Sequence, residues 1–295
     1  MISGLLSLVR YVARKAAYLL SFHVKFGRTA SILLSSLIFV IAIVGYALTA
    51  EMRHAENGKD KIVPTVSMLM DGFKETLNEF VDENEDGTND IEWYQQKFFV
   101  DFKASMVRFG TGLLIVLFGI VLGLHMRLPL FKLIFLRFFL LFEKIPPLAL
   151  LAILFVAFGT GDEAKIALIV IGVLPKVVLD TQLNAEAVPM EQTIKGFSLG
   201  GNTPRILWRI ILPQILPKIW NGIRLSLGLA VGFLIEAEGI AASEGIGYRI
   251  FVVRRYMGMN IIIDYILVLA LIMFLVDWLF QWAIRKKYPW FNPNN

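Results

Sequence analysis

The chain has 295 residues, of which 57% are hydrophobic and only 18% are charged, with a mean hydropathy of +0.66. So few charges cannot coat a soluble surface of this size, which excludes an ordinary soluble domain and points to an all-α integral membrane protein. Cysteine is absent, excluding disulfides and thiolate metal sites, and the pI of 9.3 is read as Lys and Arg retained on one membrane face, with no nucleic-acid partner.

Residues 1–29 open the chain with LLSLVRYVARKAAYLL at 5–20. Arg10, Arg14 and Lys15 interrupt its apolar run, unlike the clean core of a secretory signal. It reads as an amphipathic helix on the cytoplasmic membrane face, or equally as a helix packed on neighbouring spans. Residues 30–50 carry no charge and suffice to cross the hydrocarbon as span 1.

The next segment is chemically different. Residues 51–101 hold thirteen acids and five bases, net −8, against net +13 for the rest of the chain. The segment 51–103 is therefore expected to be a large acidic external loop, with both termini inside. Within it, Asp82, Asn84, Asp86, Gly87, Thr88 and Asp90 match positions 1, 3, 5, 6, 7 and 9 of an EF-hand loop. The bidentate acid that closes such a loop is missing, since position 12 is Trp93 and Glu92 comes one place early. Two readings stay open, a weak calcium site and a solvated acidic turn.

The region 104–290 supplies five further spans. Span 2 covers roughly 104–124, and span 3 runs from near Leu130 to Phe158 with an expected break at Pro146-Pro147. Span 4 covers about 164–183, interrupted by Pro175; span 5 about 218–237; span 6 about 262–284, closed by Arg285-Lys286-Lys287. Six transmembrane helices leave both termini on one side, in agreement with the charge asymmetry. Arg127, Lys195, Arg205, Arg209 and Lys218 fall on the expected inner connections. Arg249, Arg254 and Arg255 fall on an outer one, so they either have a task outside or belong to a segment that dips back into the protein.

Charges inside spans need a partner or a water-lined cavity. Lys176 and Asp180 are spaced to pair across one turn of span 4, Arg224 can snorkel, and Asp264 and Asp277 lie towards the ends of span 6, where exposure costs little. Glu236 and Glu238 lie where span 5 meets GIAASEGIGYRI (239–250). The favoured role for Glu238 is to hold this re-entrant segment, with its turn at Gly245 and Gly247, through backbone donors. Substrate contact is the alternative. Arg249, Arg254 and Arg255 would then attract an anion. The chain lacks a phosphate-binding loop, its three histidines are scattered, and no catalytic triad is visible. It is not expected to be an enzyme.

The stretch MEQTIKGFSLGGNTPRILWRIILPQILP (190–217) is basic, glycine-rich and punctuated by prolines. Pro189 suits a helix start, and Gly200-Gly201 ends that helix after about 189–203. A second short amphipathic helix, 204–211, is expected to stop at Leu212-Pro213 before span 5 rises. A rigid helix protruding between two spans suits docking into a partner's groove.

Gly200 followed by Ile210, Leu212 and Pro213 in G-x9-I-x-L-P resembles the cytoplasmic loop of binding-protein-dependent ABC importer permeases. EKIPPLALLAILFVAFGTGDEAKIALI (143–169), NGIRLSLGLAVGFLIEAEGIAASEGIGYRI (221–250) and KIVPTVSML (61–69) are similar to the nitrate/sulfonate/taurine-type subfamily, with its MetI-like transmembrane fold. The resemblance implies a permease that dimerises, pairs with two cytoplasmic ATPase subunits and receives solute from an external binding protein. ATP and Mg would be held by the partner subunit and no cofactor by this chain. The helix at 189–203 would be the coupling helix, docking through Glu191, Thr193, Ile194, Lys195, Gly196, Phe197, Ser198 and Gly200, with Gly201, Ile210, Leu212, Pro213 and Pro217 shaping the loop. Where the family carries Glu-Ala-Ala, this chain has Ile194-Lys195-Gly196, and Glu191 is the nearest acid. The implied cargo is a small anion of the sulfonate, nitrate or bicarbonate class, moved across the bacterial inner membrane by alternating access. A stand-alone secondary transporter or channel would need intramembrane ion-binding acids and inverted repeats, which the sequence does not display.

Overall fold

The computed structural model describes residues 28–58, 62–78 and 97–291. The amphipathic segment at 5–20 and the calcium candidates Asp82, Asn84, Asp86, Thr88 and Asp90 lie outside the described residues. The chain divides into two units, Met1–Thr65 and Val66–Asn295. In the first, α1 (Arg28–Glu56) continues six residues beyond the uncharged run because nothing in 51–56 breaks a helix. Tyr46 donates to the Pro64 carbonyl at 2.8 Å, tying α1 to the chain that follows it.

The second unit contains α2 (Val66–Asn78), α3 (Lys97–His125), α4 (Pro129–Lys144), a 3-10 turn (Pro147–Leu150) and α5 (Leu151–Phe158). It continues with α6 (Asp162–Glu186), α7 (Met190–Ser198), α8 (Thr203–Ile206), a π-helical turn (Leu207–Ile211), α9 (Leu212–Ala241), α10 (Ile246–Arg255) and α11 (Met259–Lys287). Among the described residues every regular element is helical.

Four helices, α1, α3, α6 and α11, are long and apolar enough to cross a membrane, and two bent pairs raise the number to six if each is one span. The first pair breaks at Pro146-Pro147 with a bend of 89° between α4 and the Pro147–Phe158 segment. Two adjacent prolines remove two backbone donors, and the chain turns where they fall. The second pair bends by 54° between the run Thr203–Ala241 and α10.

Two expected breaks are absent. Pro175 sits buried inside α6, which runs unbroken from Asp162 to Glu186; close neighbours tolerate a missing donor within a membrane helix. Nor does the chain stop at Leu212-Pro213. The π-helical turn Leu207–Ile211 ends two residues before the proline, and its wider backbone makes room for a ring that an α-helical turn would oppose. Helix therefore extends without a gap from Thr203 through Pro213 and Pro217 to Ala241.

The core is built by α3, α6 and α9, with α4 against α6, α10 against α9 and α11, and α2 against α11. Val116 and Leu124 of α3, Ile169, Val173 and Val177 of α6, and Ile219, Leu227 and Leu234 of α9 are buried together. Lipid tails are as apolar as these side chains, so close packing rather than water exclusion joins the helices. α3 supplies small residues where it meets α6: Gly112 faces Ile169, and Gly119 and Gly123 face Val178. At Gly123 an added Cβ would lie 2.4 Å from the Val178 carbonyl oxygen.

The charges within spans are placed differently from the sequence expectation. Lys176 and Asp180 share a face of α6 but do not close to a salt bridge. Arg224 does not snorkel away; its Nε lies 3.5 Å from Asp277 on α11. Asp264 is 5% exposed and buried rather than cheaply solvated. It lies beside Asn260, and both would crowd a side chain added at Gly72 of α2.

Candidate functional site

Two polar constructions occupy opposite ends of the α3–α6–α9 core, about 26 Å apart measured along α3 from Arg108 to His125 at 1.5 Å per residue. That separation is close to the hydrocarbon thickness of a bilayer.

The first centres on Glu238, which is fully buried near the end of α9. Its Oε2 accepts from the Gly247 backbone N–H at 3.0 Å. Ser105 Oγ, on α3, donates to the same carboxylate at 2.8–2.9 Å. Arg108 Nη1 donates to Oε1 at 2.9 Å and also to the Glu244 carbonyl at 2.9 Å. Its Nε reaches Asp162 Oδ1 at 2.7 Å, at the first turn of α6. Asp101, one turn before Ser105, accepts from the Gly245 N–H and from Arg249 Nε, both at 2.8 Å. Ile246 N–H donates to Ser105 Oγ at 2.8 Å. Lys165 completes the cluster, bonding the Thr160 and Gly161 carbonyls at 2.9 and 3.1 Å.

The first backbone N–H groups of α10 have no intrahelical partner, and three of them are answered by side chains from α3 and α9. Asp101, Ser105 and Arg108 project on one face of α3 because their spacing is three to four residues. Gly245 precedes α10 with φ +127°, where a side chain would be strained and its Cβ would lie 2.6 Å from the Glu238 carboxylate. The cluster is charge-balanced, since each buried carboxylate meets a cation, as burial requires. Arg249 is thus committed to Asp101. Arg254 and Arg255, at the far end of α10, are exposed and meet no carboxylate among the described residues.

The second construction is α7 and its mounting. Thr193 and Gly196 face inwards, with Gly196 against Ile206 and Ile210. The helix closes with Gly200 at φ +79°, the Gly200 N–H on the Phe197 carbonyl and the Gly201 N–H on the Gly196 carbonyl. This is the Schellman arrangement, which needs a left-handed residue and receives a glycine. Arg127, in the turn between α3 and α4, donates to the Ala185 and Val188 carbonyls at the end of α6 and to Thr193 Oγ1. Burial pulls the Arg127 guanidinium below its ordinary pKa, an effect that Glu186 opposes. Met190, Ile194 and Phe197 form an outward apolar stripe, with Leu199 88% exposed beyond it. Glu191, Lys195 and Ser198 are exposed beside them. Exposed apolar patches on a protein surface are candidate interaction sites.

The structure therefore assembles the sequence candidates into two groups, Glu238 with Gly245 and Gly247, and the α7 residues with Ile210. Leu212, Pro213 and Pro217 lie in α9 beyond the π turn. Sequence reasoning missed Asp101, Ser105, Arg108, Asp162 and Lys165. An arginine inside the apolar run of span 2 was the available signal.

Several helices long and apolar enough to cross a membrane, packed around such a core, define the class as a multi-pass helical membrane protein. Residues 115–287 match the family described as binding-protein-dependent transport system inner membrane component, and the chain belongs to that family. It is 32% identical over 189 residues to the taurine transport system permease protein TauC of Escherichia coli K12, covering 63% of this chain and 69% of that protein. It is 31% identical over 151 residues to the putative aliphatic sulfonates transport permease protein SsuC of the same organism, covering 51% and 57%. The aligned part thus falls well short of either relative's full length. Among solved structures, the fold is similar to a chain of the inward-facing MetNI methionine ABC transporter, with TM-score 0.52, 22% identity and coverage of 62% and 91%.

Proposed function

We propose that this permease is the membrane subunit of an ATP-driven importer for a small anion, and that α7 is its coupling helix. Two copies would form the membrane part, two ATPase subunits would bind below, and an external binding protein would deliver solute. The observation that carries this reading is the exposed stripe Met190, Ile194 and Phe197 on a helix fixed through Thr193 and Gly196. Glu191 and Lys195 flank the stripe and supply polar contacts to an ATPase groove, with Glu191 taking the place of the family's usual acid. On the charge asymmetry of the sequence both termini would be cytoplasmic, and on the coupling-helix reading α7 would face the cytoplasm and the Glu238 cluster the outside.

Names of the relatives favour taurine or an aliphatic sulfonate as cargo. Charge supports an anion, because Glu238 and Asp101 are neutralised while Arg254 and Arg255 remain exposed at that end. Alternating access requires a bundle with two states that both ATP and solute bias. The rigid Glu238 cluster would carry α10 as one body with α3 and α9 during that exchange.

The test is reconstitution of the full chain with its ATPase and binding protein in proteoliposomes, offering taurine, an alkanesulfonate, nitrate and bicarbonate in turn. Substrate-stimulated ATP hydrolysis is expected for one of these anions. Crosslinks from Lys195→Cys and Ser198→Cys are expected to capture the ATPase; repeated failure to capture one in native vesicles would end the reading.

A further inference from the structure

A second surface shares no residue with the Glu238 cluster or with α7 and its mounting. On the α7 side of the bundle, α9 and α11 leave a groove of about 390 Å³. Its floor is apolar, formed by Trp220, Leu279, Phe280 and Ile284, and Lys287 and Tyr288 close one end. Trp220 and Phe280 are in ring contact with centroids 6.2 Å apart, which joins the two helices beneath the groove.

The end of the groove is cationic through Lys287, whose Nζ lies 5.8 Å from the Tyr288 ring. Its chain neighbour Lys286, outside the lining, has its Nζ 4.8 Å above the Trp282 ring. Among the described residues neither ammonium meets a carboxylate, and Asp277, the nearest acid on α11, lies more than two turns away and pairs with Arg224 and Gln281. α11 has 29 residues, about 43 Å of helix, so it outreaches a hydrocarbon layer of about 30 Å and brings its last turn to head-group level.

We infer that this groove binds an anionic phospholipid, with an acyl chain along Trp220, Phe280 and Ile284, the phosphate against Lys287, and Lys286 next to it in the chain adding positive charge. Charge selects this occupant over the others available. Residues 1–27 carry Arg10, Arg14, Lys15 and Lys25 and no acid, so that segment would bring like charge to a basic rim. A second copy presenting the same turn would do the same. A head group that carries net negative charge supplies what the rim lacks, at roughly fivefold preference per lysine near the surface.

The experiment uses the full-length protein, delipidated in detergent and given equal amounts of phosphatidylglycerol and phosphatidylcholine, with retained lipid counted by native mass spectrometry. Phosphatidylglycerol is expected to be retained at least tenfold over phosphatidylcholine, and Lys286→Gln with Lys287→Gln to abolish most of that preference. Arg209→Gln, an exposed base at the same end but outside the groove, is expected to keep it. Equal retention of the two lipids, or a preference that survives the double substitution, overturns the inference. Because the chain has no native cysteine, Leu279→Cys also reports directly. Disulfide formation between copies at that position would show a protein occupant and overturn the inference, whereas protection by phosphatidylglycerol alone supports it.

Discussion

Glu238→Ala is the sharpest perturbation of the bundle. Glu238 is fully buried and Arg108 is 3% exposed, and truncating one partner of a buried pair strands the other charge, a loss of about 3–5 kcal/mol. Asp162 and the Glu244 carbonyl still hold Arg108, which places the expected cost near the lower end. The Gly247 N–H also loses its acceptor, adding about 1–3 kcal/mol for an unsatisfied donor. A total of about 4 kcal/mol, at 2–4 °C per kcal/mol for a unit of this size, lowers the melting midpoint by roughly 8–16 °C. Thermal unfolding of the purified protein, followed by tryptophan fluorescence, measures this. Glu244→Gln is the internal control, because its carboxylate is half-exposed and 3.8 Å from Arg108, so it should shift the midpoint by no more than about 2 °C. Replacing both Arg108 and Glu238 with Met should recover much of the loss. A Glu238→Ala midpoint within about 2 °C of the parent, or an equal loss in Glu244→Gln, would refute the reasoning.

At the other end, Ile194→Asp with Phe197→Asp should leave the melting midpoint unchanged, since both side chains are exposed, yet abolish co-purification of the ATPase. Gly200→Val should cost about 1–2 kcal/mol because a β-branched residue resists φ +79°, and should uncouple hydrolysis from substrate; coupled activity at parental level would count against the proposed role of α7. Neutralising Arg254 and Arg255 to Gln is expected to raise the KM for anion uptake several-fold, more at low salt than at high salt, and unchanged uptake would remove the attraction argument. Titration calorimetry on the full chain tests the acidic segment: binding through Asp82, Asn84, Asp86, Thr88 and Asp90 should be weaker than in closed EF-hand loops, and Asp82→Asn with Asp86→Asn should erase any heat of calcium binding.

What could be read from the sequence, and what could not, divides along the range of each interaction. Apolar runs, the proline pair and the glycines after Ser198 act over a few residues, so the long apolar helices, the 89° bend and the end of α7 were legible. Prolines 175 and 213 were over-read for the same reason. A local rule assigns each a break, whereas the surrounding packing of α6 and the π turn before α9 accommodate the missing donors. The Glu238 cluster was legible only in part. Glu238 and Gly247 are nine residues apart, and their bond follows from a re-entrant turn. Ser105 and Arg108 lie 133 and 130 residues from Glu238, and no periodicity joins them.

A charge argument narrows that gap. Arg108 stands inside an apolar run with its nearest acid, Asp101, two turns earlier on the same helix and committed to Arg249. Hydrocarbon does not tolerate an unpaired guanidinium, so a distant carboxylate had to exist. Span 5 offers two acids near its end, Glu236 and Glu238, and they differ by about 200° around a helix. Only the acid that shares a face with the buried residues Val231 and Leu234 points into the bundle. Glu238 lies seven residues from Val231 and four from Leu234, spacings that keep it on that face. Once the burial of Val231 and Leu234 and the Asp101–Arg249 pair are known, unpaired charge and helical phase together account for Glu238 as the partner of Arg108.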